Sequence, residues 1–326
     1  MNFDIGIESI EYCLGGVTEV GSDLLATNPD WNLEEIEQKT GIKRRHIVSC
    51  GETASDLAFA ACEKIFSKGV ERGGIDALLF VSQSPDYFLP TTACLLQARL
   101  KLPTTCFAYD INLGCSGFVY GMATAAALIN GGLAKRVLLV CADTYSKYIG
   151  LNDRTCRPIF SDGAAASLIA AHPTAKVGSF IFGTDGLGGE NLIVKGGGSR
   201  DNQNAPPILQ MNGQKIFMFT LAAIPGIVNS ILEKAGVQID EVDLFVFHQA
   251  SALVLNGISR ALKIPNDKMY VNLENVGNTV SATIPIALRD AAMDGKLKTG
   301  MKVLICGFGV GYSWGGALIE WNDDFY

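Results

Sequence analysis

Residues Phe118 to Ile129 form an almost wholly apolar run, broken by polar atoms only at Tyr120 and Thr124 and stopped by Asn130-Gly131-Gly132. A segment of that length and composition reads as a helix buried on all sides. The rest of the chain must therefore supply layers that enclose it. With 326 residues, 48% hydrophobic and only 18% charged, there is enough material for two domains or one large duplicated one with an extensive core.

The enclosing layers are legible as short apolar runs alternating with helical patterns. Ala77-Leu78-Leu79-Phe80-Val81-Ser82, Phe107 to Ile111, Arg136 to Ala142 and Gly163 to Ala170 read as strands, and Thr92 to Leu100 reads as a helix. Continuously apolar strands between helices predict an α/β protein whose sheet is covered on both faces. The second half repeats the plan: Leu244 to His248 mirrors the run ending at Ser82, Lys302 to Gly307 mirrors Arg136 to Ala142, and Gly315 to Trp321 mirrors Gly163 to Ala170. The spacings agree loosely, as in an ancient internal repeat. The break falls at Ala171-His172-Pro173-Thr174, dividing the chain into 1–172 and 173–326. Gly196 to Pro207 is polar and reads as a surface loop.

Charge and composition exclude several function classes. A net charge of −7 argues against nucleic acid as a partner. Nine cysteines without CxxC pairs fit a reducing cytoplasm, with no zinc-ligand spacing and no metal expected. Met1-Asn2-Phe3-Asp4-Ile5-Gly6 shows no basic stretch leading into an apolar core, so no secretory signal is expected. Asn130 and Lys135 interrupt the longest apolar candidate, so no membrane insertion is expected.

Candidate chemistry centres on Cys115, in Gly114-Cys115-Ser116-Gly117 at the start of the apolar helix. A cysteine taken blindly is a packing residue. At the first turn of a buried helix, however, the helix dipole is expected to lower its pKa and favour a nucleophile. Of the three histidines, His46 follows Lys43-Arg44-Arg45 and reads as exposed, and His172 reads as a linker residue. His248 ends an apolar strand in Phe247-His248-Gln249-Ala250, where ligands of α/β proteins gather. Asn278, in Gly277-Asn278-Thr279, is by itself an ordinary helix-start signal. Cys306-Gly307-Phe308-Gly309-Val310-Gly311 is a glycine-rich turn without the Lys-Ser/Thr of a phosphate loop, and its amides are suited to an oxyanion hole.

In this order, the set resembles the thiolase superfamily, and within it the β-ketoacyl-acyl carrier protein synthase III family, over nearly the whole chain. The resemblance rests on Lys39 to Ile47, Asp110 to Gly117, Ile159 to Ala164, His248-Gln249-Ala250, Gly277-Asn278-Thr279 and Gly309 to Gly315. It implies a thiolase-like fold: a duplicated α-β-α-β-α arrangement of five layers with two mixed sheets. It also implies a two-step reaction. Cys115 takes an acyl group from an acyl-CoA; His248 and Asn278 stabilise the enolate formed when a malonyl-carrier protein loses carbon dioxide; the backbone amides of Cys115 and Val310 hold the tetrahedral oxyanion. Coenzyme A thioester enters as substrate, with no resident cofactor.

The same resemblance places Trp31 and Arg154 about the adenine ring, Lys39 on a phosphate, and Phe308 beside the thiol. It adds Gln214 and Ser251 to the substrate-binding set. Leu89 is expected to cross a homodimer interface into the partner's acyl pocket. Read without the resemblance, Trp31 is a helix-entry packing residue and Arg154 one charge of a polar loop. The chain departs from the family at Ser251, where asparagine is usual, at Val310, a common glycine, and at Leu253, where an arginine commonly docks the acidic carrier. Arg260 remains as a docking cation. The expectation is thus a cytoplasmic acyltransferase initiating fatty acid or related acyl chain synthesis. The alternatives are an acyltransferase that passes the acyl-Cys group to an amine or hydroxyl in a secondary-metabolite or surface-glycan pathway, and a catalytically silent scaffold.

Overall fold

The structure, a computed structural model, describes residues 2–200 and 206–322. Two five-stranded mixed sheets lie on either side of a pair of central helices. The first sheet runs Ile5–Leu14, Gly163–Ala171, Arg136–Asp143, Ala77–Val81, Phe107–Ile111, with Ala77–Val81 parallel to both its neighbours and the remaining pairs antiparallel. The second runs Asn2–Phe3, Lys176–Thr184, Ser313–Glu320, Lys302–Gly309, Leu244–Phe247, with only the last pair parallel. The three proposed mirror pairs of strands occupy equivalent places in the two sheets.

Between the sheets lie Gly117–Asn130 and its counterpart Thr283–Met293, and one core cluster joins residues of both helices to inner-face residues of both sheets. The helices Ala54–Ser67 and Thr92–Arg99 cover the outer face of the first sheet. Gly213–Ala235 and Ala252–Leu262 cover the outer face of the second. The layers are therefore α-β-α-β-α. The chain passes from the first sheet to the second at 172–175, where the His172 Nδ1 accepts the Ala175 N–H at 2.9 Å. The halves interlock beyond that point, because Asn2–Phe3 joins the second sheet.

Three sequence readings need correction. The central helix is not covered on every side: Tyr120, Ala123, Thr124 and Ala127 form a half-buried to exposed stripe at i, i+3, i+4, i+7. His46 is half-buried rather than exposed, because it lies in the strand Arg44–Ile47 with its Nε2 3.0 Å from the Asn275 carbonyl oxygen. The longest apolar segment is not the one interrupted at Asn130 but the helix Gly213–Ala235, which by length and composition alone could cross a membrane. Its buried residues Thr220, Ile224, Ile227, Val228 and Ile231 recur at helical spacing and pack on the second sheet, as in an amphipathic core helix. In the polar loop, the described residues are mostly exposed, while 201–205 lie outside the described residues.

Candidate active site

Each reactive side chain sits where a regular element ends. Cys115 lies between the strand Phe107–Ile111 and the central helix and is 5% exposed. The turn is tight, with the Gly117 N–H donating to the Gly114 carbonyl at 2.7 Å. His248 directly follows the strand Leu244–Phe247, and its backbone N–H donates to the Cys306 carbonyl of the neighbouring strand at 2.9 Å. Gln249 braces this corner: its Nε2 donates to the Phe247 carbonyl at 2.8 Å and its Oε1 accepts the Asn272 N–H at 3.1 Å.

Asn278 is held by exchange with the other half of the chain. Its N–H donates to the Ile159 carbonyl at 3.0 Å, and its own carbonyl accepts the Ser161 N–H at 2.9 Å. The approach is close enough that Gly277 is required: its φ is +72°, and a Cβ would lie 2.3 Å from Ser161 Oγ.

These elements converge. Cys115, His248, Asn278, Phe308 and Ser251 line one predominantly apolar cavity, with Phe160, Met211 and Phe217 among its walls. The Phe308 ring stands edge-on to the imidazole, with centroids 5.7 Å apart. The backbone amides of Val310 and of Cys115 itself lie close enough to the Cys115 sulfur to favour its thiolate. Gly309 passes so near that a Cβ there would be 2.7 Å from Sγ. The two amides assigned to an oxyanion hole thus lie beside the sulfur of the candidate nucleophile.

The electrostatics correct the expected acidic thiol. The Cys115 thiol is pushed up to about 12, chiefly by burial, with the nearby Asp143 carboxylate adding to the rise and the two amides opposing it. Desolvation of a buried thiolate outweighs the contribution of a helix terminus. Burial also pushes His248 down to about 3. The resting site therefore holds a neutral thiol and a neutral imidazole, not an ion pair. His248 Nδ1 lies 2.7 Å from Thr283 Oγ1, which is also 3.1 Å from the Val280 carbonyl. Asn278 Oδ1 accepts the Val280 N–H at 2.9 Å, and its Nδ2 lies 3.4 Å from the Ala250 carbonyl, a weak contact that leaves donor capacity facing the cavity.

Toward solvent, Ile159 and Gly213 border both this cavity and an outer depression of about 530 Å³ that Lys39, Arg154 and Gln214 line. Glu35 engages both cations, at 2.7 Å from Lys39 and 3.5 Å from Arg154. Trp31 is half-buried and not among the residues lining the depression. Ser251 borders the inner cavity, but its hydroxyl caps the helix Ala252–Leu262 by accepting the Val254 N–H at 3.4 Å. Leu89 is 83% exposed in an apolar Tyr87-Phe88-Leu89 loop and lines neither cavity of its own chain. Arg260 is exposed on the Ala252–Leu262 helix, as is Leu253. Sequence reasoning missed Thr283, whose contact with His248 is purely tertiary. It also missed Asp143, although that residue ends an apolar strand at the same kind of position that singled out His248.

A cysteine, a neutral imidazole and a carboxamide meeting in one apolar cavity between two matched halves fit a thiolase-like acyltransferase. The family model for 3-oxoacyl-[acyl-carrier-protein] synthase III matches residues 109–186, and that for its C-terminal part matches 232–321. The β-ketoacyl-[acyl-carrier-protein] synthase III of Koribacter versatilis is 33% identical over 308 residues, 91% of each chain. A crystal structure of a 3-oxoacyl-(acyl-carrier-protein) synthase III superposes with a TM-score of 0.95 at 41% identity, covering 98% of this chain and 100% of the other. The Burkholderia xenovorans enzyme gives 0.92 at 34%, covering 99% and 95%. The chain belongs to the β-ketoacyl-[acyl-carrier-protein] synthase III family.

Proposed function

We propose that Cys115 accepts the acyl group of an acyl-CoA primer and that the acyl-enzyme condenses with a malonyl-carrier protein, starting an acyl chain. The carrying observation is the convergence of Cys115, His248 and Asn278, from three separate strand or turn ends, on one cavity. In the first step the Cys115 proton passes to a base as Sγ attacks the thioester carbonyl. The S–C bond to the enzyme forms, and the coenzyme A sulfur leaves and is protonated. Because the thiol rests neutral, its proton leaves Sγ within the step itself rather than in a prior ionisation.

In the second step the malonyl C–C bond breaks, carbon dioxide leaves, and the electron pair moves onto the thioester as an enolate. His248 Nε2–H and Asn278 Nδ2–H donate to that oxygen; in this step the single Thr283 hydroxyl hydrogen turns from the Val280 carbonyl to the nearer Nδ1, so that the imidazole proton sits on Nε2. The enolate carbon then attacks the acyl carbonyl, whose oxyanion the amides of Cys115 and Val310 hold. Collapse releases the 3-oxoacyl product and restores Cys115.

Lys39, Arg154 and Gln214 bind the polar part of coenzyme A, the two cations exchanging Glu35 for phosphate. Arg260 serves carrier docking. The exposed apolar loop Tyr87-Phe88-Leu89 and the edge residue Phe107, 52% exposed, support a homodimer. Nine free cysteines are consistent with a reducing cytoplasm.

The test combines intact-mass measurement after incubation with a panel of acyl-CoAs and carbon dioxide release from labelled malonyl-carrier protein. An acyl adduct absent in Cys115→Ser, together with stoichiometric release of carbon dioxide, is expected. Product formed without that release would move the reading to acyl transfer onto an amine or hydroxyl.

A further inference from the structure

Asp143, the last residue of the strand Arg136–Asp143, is fully buried, and it is not a member of the catalytic set. Its Oδ1 accepts the Gln83 N–H at 2.8 Å, with Ser84 Oγ at 3.5 Å. Its Oδ2 accepts Ser281 Oγ–H at 2.5 Å and the Ser281 N–H at 3.2 Å. Gln83 and Ser84 belong to the first half of the chain and Ser281 to the second, so this carboxylate fastens one half to the other. Among the described residues no basic side chain forms an ion pair with it; neighbouring donors alone hold it.

What Ser281 belongs to gives the contact its meaning. It is the middle residue of the short 3₁₀ turn Val280–Ala282. That turn also supports both proposed enolate donors: the Val280 N–H holds Asn278 Oδ1, and Thr283, the next residue after the turn, faces His248 Nδ1. Val280 has φ +57°. For a β-branched residue this left-handed conformation is strained and persists only where surrounding contacts enforce it. The two bonds from Asp143 to the adjacent Ser281 are such contacts. At the other end of the clasp, Gln83 Oε1 accepts the Tyr145 hydroxyl at 2.8 Å and sits against Gly114, where a Cβ would lie 2.5 Å from it. Asp143 thus ties the loop beside Cys115 to the turn that aims Asn278 and His248.

We infer that Asp143 is a positioning residue for the decarboxylation step, a buried acceptor that holds the Val280–Ala282 turn and through it both enolate donors. The inference rests on the reaction proposed above.

Ionisation gives the role a signature. Burial raises the Asp143 carboxyl to about 7, against the lowering effect of its four donors. The groups facing it are Cys115, Cys141 on its own strand, Tyr145 and Tyr148, all of which its charge raises, together with the Ser84 and Ser281 hydroxyls. None is cationic. The two backbone N–H donors need an acceptor, so the carboxylate is the form that satisfies the clasp. Protonation as pH falls through neutrality loosens it.

The experiment measures the two partial reactions separately between pH 5.5 and 8.5, in wild type, Asp143→Asn and Ser281→Ala. Acylation of Cys115 is followed by intact mass, and carbon dioxide release is measured from labelled malonyl-carrier protein. In wild type, release is expected to rise with pH through neutrality. Asp143→Asn is expected to keep acylation within about threefold, lose at least tenfold in release and flatten that pH dependence. It should also speed alkylation of Cys115 at a given pH, because the anion raising the thiol is gone. Ser281→Ala keeps the backbone contact and should lose several-fold in release; it carries the test if Asp143→Asn does not fold. Equal loss in both partial reactions, or unchanged release with an unaltered pH profile, overturns the inference. Absence of carbon dioxide release from wild type would instead refute the proposed reaction.

Discussion

Replacing Thr283 with valine removes one hydroxyl while keeping nearly the same volume, at a residue that is 1% exposed. The hydroxyl lies 2.7 Å from His248 Nδ1. With it gone, Nδ1 loses the hydroxyl that in the proposed reaction sets the imidazole proton on Nε2, the position assigned to donate to the enolate. Removing one oxyanion donor outright typically costs about 10²–10³ in rate. Here the Nε2–H tautomer can still be populated, so the expected loss in the decarboxylation step is smaller, about 10–100-fold, or roughly 1.4–2.7 kcal/mol of barrier. A second effect concerns stability. His248 is buried and its Nδ1 loses its partner, at a cost of about 1–3 kcal/mol, measurable by denaturant titration. Acyl loading of Cys115 and carbon dioxide release from labelled malonyl-carrier protein are assayed separately, and Thr283→Ser, which keeps the hydroxyl, should restore most of the lost rate. Unchanged release in Thr283→Val, or failure of serine to rescue it, would refute the tautomer argument.

Asn278→Ala is expected to spare acyl loading and cut decarboxylation by about 10²–10³, as for loss of one transition-state donor; partial-reaction kinetics that decline together would contradict the division of roles. The protein is also expected to lose stability on acidification through His248. Its folded pKa, about 3, lies below the ordinary histidine value. The buried neutral ring therefore contributes fully above about pH 6.5, and that contribution is lost as pH falls from there toward 3. Denaturant midpoints of wild type and His248→Gln between pH 7 and pH 4 should converge as pH falls, and parallel curves would count against it.

The alternation of apolar strands and helices, the loose repeat of three strands and the apolar helix behind Cys115 were legible in the sequence, because periodicity and composition report burial locally. The approximate limits of the main strands followed for the same reason, as did the candidate status of Cys115 and of His248 at a strand's carboxyl end. Asn278 was recognisable only through its place in a motif set, since a Gly-Asn-Thr turn by itself says no more than helix start.

Other features depended on residues distant in sequence. The acidity of Cys115 was misread because a helix terminus is visible in sequence and desolvation is not; only the packed cavity revealed that the thiol and imidazole rest neutral. His46 read as exposed from its basic neighbours, yet strand pairing half-buried it. Thr283 carried no sequence signal and Asp143 only its place at a strand's carboxyl end, for the roles proposed for them rest on tertiary contacts with His248 and Ser281. The sequence by itself determined which segments had to be buried and which residue types could do chemistry. The tertiary structure decided their protonation and aim, because both depend on the dielectric and the hydrogen-bond partners that the two halves supply to each other when they close.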